Sequence, residues 1–243
     1  MTGSAKALSV QDITVRFGGL TAISAVSLTL RTDEILGLIG PNGAGKTTFV
    51  NCLTGFQPLS EGKILLDDTD TKDWGASHFR RQGVSRTFQS GRLFKDMSVL
   101  ENVEVAGVGL GLSRRQAQSQ GLALLATLGL SEVADRAAGT LPYTDERRVG
   151  IARALIMEPS FLLLDEPAAG MSDVECHELM AIIREMPKKF GCGVLLIEHN
   201  MSVVMGVCDR IHVLDGGRTL AEGTPSEVAR DPAVIDAYLG SEA

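Results

Sequence analysis

Along the first forty residues, apolar positions alternate or run together in ALSVQDITVRF, LTAISAVSLTL and EILGLIG, with breaks at Gly18-Gly19 and Thr32-Asp33. These runs predict three strands, the last continuous enough to be buried on both faces. A helix, KTTFVNCLTGF, follows at once, and KILLDD and VSRTFQ predict two more strands. From about residue 98 the pattern turns helical, with Ser98 and Glu101 at capping-box spacing ahead of the long stretch SRRQAQSQGLALLATLGL. This predicts a helical subdomain inserted over approximately 98–158. Strand and helix then alternate again: FLLLDEP, the helix DVECHELMAIIREM started by Ser172 and Glu175, the strand GVLLIEH and a short helix from Asn200. Pro187, with no N–H to donate, is expected to end or kink the helix before it. Over 210–243, Asp215-Gly216-Gly217 marks a hairpin, and Thr224, Pro225 and Glu227 open a closing set of short helices. The sum is an α/β fold with a mainly parallel sheet, interrupted by helices.

Length and composition fit that picture. At 243 residues, 44% of them hydrophobic and 22% charged, one large α/β unit over 1–243 with an insertion accounts for the chain as well as two domains would. A net charge of -7 disfavours a nucleic-acid partner, because polyanion binding draws on clustered Lys and Arg. The pairs Arg80-Arg81, Arg114-Arg115 and Arg147-Arg148 read as solvated faces. Cys52, Cys176, Cys192 and Cys208 lack metal-ligand spacing and read as buried hydrophobes in a reducing compartment. The start, MTGSAKALSVQD, has no apolar stretch of a signal peptide, and no run approaches the roughly 20 apolar residues that span a bilayer, so a cytosolic protein is expected.

Chemistry enters with GPNGAGKTT, residues Gly40, Pro41, Asn42, Gly43, Ala44, Gly45, Lys46, Thr47 and Thr48. It matches G-x-x-x-x-G-K-[ST] between a buried strand and a helix, where glycines let the backbone wrap phosphates and the helix N-terminus supplies N–H groups. Lys46 adds a full positive charge, and Thr47 would place its hydroxyl on Mg²⁺. FLLLDEP is an apolar strand ending in two acids; Asp165 can hold the metal and Glu166 can polarise a water, although acids at a strand end are often plain helix caps. His199 ends GVLLIEH and, in a parallel sheet, falls on the same edge, where it can bond a terminal phosphate and the attacking water. Gln89, after VSRTF, offers an amide to Mg²⁺ or water. Alone, His199 and Gln89 are as readily structural.

These elements in this order resemble the ATPase subunit of ABC transporters over nearly the whole chain. The resemblance implies a P-loop ATPase core, an N-terminal antiparallel β subdomain, and ATP with Mg²⁺ as ligands. It also implies Walker A at 40–48, the Q-loop glutamine at Gln89, Walker B ending in Asp165, catalytic Glu166, switch histidine His199, and adenine stacking by Phe17. RFGGLTAISAVSL, SRTFQSGRLFKDMSVLENV and GTPSEVARDPAVIDAYLG look like the branched-chain amino-acid uptake subfamily, and RTFQ with RLF like one member of its ATPase pair. This implies a second ATPase subunit (a heterodimer, with a homodimer also open), two permease subunits, a solute-binding protein reached indirectly, and a place at the cytoplasmic face of the cell membrane. A soluble ABC-type ATPase and a regulatory ATP-binding subunit remain the alternatives.

One loop departs from the family. Where LSGGQ is usual stand Leu141, Pro142, Tyr143, Thr144 and Asp145. Pro142 lacks the serine hydroxyl and an N–H, Thr144 replaces a glycine, and Asp145 and Glu146 add negative charge near a phosphate. Thr144 is expected to be the N-cap of the next helix, which makes the loop sound as local structure and poor as a phosphate ligand. Losing one hydrogen bond to a charged group costs roughly 1.5–3 kcal/mol, so this half-site is expected to be weakened.

Overall fold

Two buried-and-exposed alternations separated by Gly18-Gly19 give the hairpin β1 (Ala7–Phe17) and β2 (Leu20–Arg31), closed by the pair Phe17–Leu20 and by Gly18 at φ 57°. β3 (Ile35–Ile39) is buried at all five positions and runs into α1 (Lys46–Leu53). Next come β4 (Glu61–Leu66), β5 (Thr69–Asp70), α2 (Ala76–Arg81) and β6 (Val84–Arg86). The helical stretch is α3 (Val99–Val108), α4 (Arg114–Thr127) and α5 (Tyr143–Leu155). The chain ends as β7 (Phe161–Asp165), α6 (Asp173–Phe190), β8 (Gly193–Ile197), α7 (Met201–Val207), β9 (Arg210–Asp215), β10 (Arg218–Gly223), α8 (Pro225–Val228) and α9 (Pro232–Leu239). This computed structural model describes residues 6–87 and 93–239.

The strands form two sheets. One is antiparallel, ordered β2-β1-β4-β5; the other, β10-β9-β3-β8-β7-β6, is parallel except for the edge hairpin β9–β10. In the parallel sheet successive side chains take opposite faces. Ile35, Ile39, Leu162, Leu164, Val194 and Leu196 join the core under α3 to α7, while Leu36, Leu38, Leu163, Leu195 and Ile197 join the core shared with β1, β2 and α1. Both faces are therefore covered, which is why these strands read as continuous apolar runs.

Local signals behave as their chemistry requires at Ser98, Ser172 and Thr224, each with a two-way capping box. Ser113 and Gln116 form a fourth at the start of α4. Pro187 departs from expectation: α6 continues through it to Phe190 and ends at Gly191 in the left-handed region, φ 59°. One N–H is lost, but fully buried Ile183 and Met186 pin the helix to the core immediately before it, and only one further turn is needed. The basic pairs also differ from the solvated faces expected. Arg114 and Arg115 are exposed, but Arg80 donates to Ser85 Oγ (2.7 Å) and the Arg153 carbonyl (2.7 Å), and Arg147 is 6% exposed. Sequence charge alone does not show that a long guanidinium is folded inward onto carbonyls and rings. All four cysteines are free and buried, and burial pushes the Cys52, Cys192 and Cys208 thiols up to about 12.

Leu196 lies fully buried on β8, flanked in the sheet by β3 and β7. Leu196→Ala is expected to destabilise the fold by about 2–5 kcal/mol in urea unfolding, since the sheet cannot collapse into the hole; a loss below about 1 kcal/mol would contradict this packing.

Candidate functional site

The site follows from strand register. Leu38 of β3 pairs with Ile197 of β8, and Ile197 pairs with Asp165 of β7, so three parallel strands end in step and deliver their next residues to one edge. From β3 comes the loop 40–48. A Cβ on Gly40 would lie 2.0 Å from the Leu214 carbonyl oxygen, and one on Gly45 (φ 99°) 2.7 Å from that of Ala22, so neither position admits a side chain. Gly43 is also left-handed, at φ 82°. Gly45 caps α1 without a side-chain bond, and the first-turn N–H groups precede any intrahelical acceptor. A glycine cradle opening on free N–H groups fits phosphate oxygens.

Lys46 is 8% exposed, and its ammonium donates to the carbonyls of Gly40 (2.6 Å) and Pro41 (3.0 Å). These take two of three donors and leave one for a ligand. Burial pulls the Lys46 ammonium below its ordinary range, opposed by the charges of Glu166 and Asp165, so the acids and the loop lysine converge. Asn42 and Thr47 are exposed, Pro41 and Thr48 half-buried, and Ala44 buried. Phe17, 47% exposed, presents its ring at the end of β1. Gln89 lies outside the described residues.

Asp165 is held by a cation: its Oδ2 accepts from Arg86 at 3.1 Å, and Arg86 is also fixed by Asn51 Oδ1 at 2.7 Å. Burial pushes the Asp165 carboxyl up, with Arg86 opposing. Glu166 adopts φ 46°, a left-handed conformation uncommon for a side chain of its size, and its N–H donates to the Ile197 carbonyl at 2.9 Å. Its Oε1 meets His199 Nε2 at 2.8 Å. Lys46, Asp165, Glu166 and His199 are thus gathered at one edge. Sequence reasoning missed Arg86, although it stands inside the quoted VSRTF, and it missed Glu198, a buried carboxylate between an apolar strand and His199.

At the 141–145 loop the expectation for Thr144 is corrected. Pro142, extended at ψ 153°, occupies the N-cap position, and Thr144 is buried within the first turn of α5, where its hydroxyl donates to Glu175 Oε1. A carboxylate already held by Ser172 at the start of α6 outcompetes a self-capping role. The Thr144 hydroxyl, followed by the Ser172 hydroxyl and N–H, pulls the Glu175 carboxyl down to about 2. Leu141 is buried, and Asp145 and Glu146 lie in the first turn. Tyr143 is 47% exposed and accepts from Arg147, whose guanidinium lies 4.8 Å over its ring. The helix ladder begins with Glu146 N–H to the Pro142 carbonyl (3.1 Å), and the N–H groups before it precede any intrahelical acceptor.

Fold and site together define a P-loop ATPase with an α/β core. The family model "ABC transporter" matches residues 23–169, and "Branched-chain amino acid ATP-binding cassette transporter" matches 218–243. The chain is 47% identical, over 96% of its length and 97% of the other's, to the high-affinity branched-chain amino acid transport ATP-binding protein LivG of Escherichia coli (strain K12). It is 42% identical over the same shares to BraF, of the same description, from Pseudomonas aeruginosa. Among solved structures, the ADP conformation of MJ1267, an ATP-binding cassette of an ABC transporter, superposes with a TM-score of 0.90 at 29% identity, covering 98% of this chain and 100% of that one. The chain belongs to the ABC transporter family, as an ATP-binding subunit. No described helix is long and apolar enough to cross a membrane.

The Glu175 bond carries a pH signature. Its carboxyl is held from 4.5 down to about 2 in the fold, so the stability it contributes is complete above about pH 4.5 and is lost as the pH falls toward 2. The urea midpoint of the protein is expected to exceed that of Glu175→Gln at pH 7, with the gap narrowing at pH 3; a gap equal at both values would contradict the ionised clamp.

Proposed function

We propose that this chain is the ATP-hydrolysing subunit of an importer of branched-chain amino acids, acting at the cytoplasmic face of the cell membrane. It pairs head to tail with a second, different ATPase subunit beneath two membrane-spanning permease subunits, and a solute-binding protein delivers the amino acid from outside. The observation that carries this reading is the convergence of the 40–48 loop, Asp165, Glu166 and His199 at one sheet edge, in a chain similar over nearly its whole length to proteins of that transport system. The cassette is read as one unit over 1–243, with the helices of 98–158 as the insertion and 210–243 as the closing hairpin and short helices.

In this reading the glycine-lined loop, with Pro41, Asn42 and Ala44 between its glycines, holds the phosphates by backbone N–H groups. Lys46 turns its third donor to the terminal phosphate, and Phe17 stacks on adenine. Mg²⁺ would be held by the Thr47 hydroxyl, the Gln89 amide and Asp165 Oδ1, oxygen donors that suit it, and when bound it offsets phosphate charge. Arg86, on Oδ2, keeps Asp165 aimed. Glu166 takes the proton of the attacking water, and His199, already 2.8 Å from Glu166, orients that water and donates to the terminal phosphate.

The two ATP sites of the pair are unequal. Pro142 has no hydroxyl or N–H, the Thr144 hydroxyl is committed to Glu175, and Asp145 and Glu146 bring negative charge to the helix end that meets the partner's ATP. The productive site is then this chain's loop with the partner's signature.

Lys46→Ala is expected to weaken ATP binding at this chain's site by at least about ten-fold, the loss of one bond to a charged group, read by titration with a fluorescent ATP analogue; unchanged affinity would contradict the loop reading. Glu166→Gln in this chain is expected to lower ATPase of the assembled transporter by about 10²–10⁴-fold, while the matching change in the partner spares most of the rate. Equal losses would contradict the asymmetry. In vesicles, solute-binding protein loaded with leucine, isoleucine or valine is expected to stimulate ATPase, and stimulation confined to another solute class would contradict the cargo.

A further inference from the structure

Glu198 is a carboxylate at the end of a fully buried strand, 4% exposed, one residue before His199. Burial pushes its carboxyl up, and the nearby Glu166 charge adds to that. An unpaired carboxylate there would be costly, and an apolar residue in its place would leave two backbone N–H groups without their acceptor. Its two oxygens are both used: Oε1 accepts from the Ala168 N–H at 2.8 Å and Oε2 from the His199 N–H at 3.3 Å.

These bonds bracket the strained residue. Glu166 holds φ 46°, and such a conformation persists only where its surroundings over-determine it. On its own residue the constraint is the bond from the Glu166 N–H to the Ile197 carbonyl, 2.9 Å. Two residues further on it is the bond from Ala168 to Glu198, across Pro167, which has no N–H to contribute. The same carboxylate fixes the backbone of His199, whose Nε2 then meets Glu166 Oε1 at 2.8 Å. One buried side chain thus ties together the backbones that aim both groups.

We infer that Glu198 is a positioning residue for ATP hydrolysis: it holds the 166–169 turn and His199 in register, so that Glu166 and His199 face the same water. It acts through the backbones of Ala168 and His199. The inference rests on the roles proposed for Glu166 and His199.

The test uses the assembled transporter, with kcat and KM for ATP measured on Glu198→Ala, Glu198→Gln and, in parallel, Glu166→Gln. Misplacing a catalytic group by about 1 Å can cost on the order of a hundred-fold, so Glu198→Ala is expected to lower kcat at least ten-fold with KM within two-fold. Glu198→Gln keeps one acceptor and nearly the same shape, so it is expected to fold normally and to fall between Glu198→Ala and the unsubstituted protein. A purely structural residue would reduce the yield of folded complex and leave kcat per complex unchanged. Should Glu198→Ala not assemble, Glu198→Gln decides alone, with a kcat loss of about three-fold or more at unchanged KM expected. If Glu166→Gln abolishes hydrolysis while the Glu198 variants keep kcat within two-fold, the positioning role is overturned and the site reading stands. If Glu166→Gln leaves hydrolysis intact, the site reading falls and takes the inference with it.

Discussion

Everything at this site depends on three buried parallel strands that stop at the same level. Leu38, Ile197 and Asp165 lie side by side across β3, β8 and β7, and the residues after them have no freedom to be elsewhere. The phosphate-loop glycines, the acid pair and the histidine stand roughly 120 and 150 positions apart in the chain. The register turns those separations into contact distances. It also sets the conformation of Glu166, because the N–H that leaves β7 is captured by the last carbonyl of β8. A one-residue slip would invert every apolar side chain of a strand between two cores that are both full.

Sequence made the local features legible because their causes are local. A run of glycines ending in Lys-Thr between strand and helix has few physical readings, and the capping boxes at Ser98, Ser172 and Thr224 form within four residues. Less legible were contacts whose partners are far apart. Arg86 reaches Asp165 across 79 positions, Thr144 reaches Glu175 across 31, and Ala168 reaches Glu198 across 30, and none leaves a periodic trace. The same limit explains the two corrections of charge and helix reading. Arg147 looks solvated until Tyr143 is seen beside it, and Pro187 looks like a helix end until the buried residues before it are counted against one missing N–H.

The departure in the 141–145 loop gains physical content from the structure. The aliphatic hydroxyl that remains, on Thr144, is drawn inward to the start of α6, and the Tyr143 hydroxyl accepts from Arg147, so α5 presents backbone N–H groups and two acids at its tip. Tyr143 lies beside Gly170, where a Cβ would stand 3.6 Å from its ring, and Gly170 ends the same turn that Glu198 holds. The N-terminal end of α5 and the turn that carries Glu166 are therefore neighbours in one chain.

In the function proposed here, this chain's own loop, acids and histidine surround the terminal phosphate of one ATP. A structure of the assembled transporter with a non-hydrolysable ATP analogue and Mg²⁺ tests it most directly. The expected result is adenine against Phe17, the terminal phosphate within hydrogen-bond reach of Lys46 and His199, and Glu166 separated from it by a single water. A triphosphate lying away from the 40–48 loop, or Glu166 beyond the reach of one water, would contradict it.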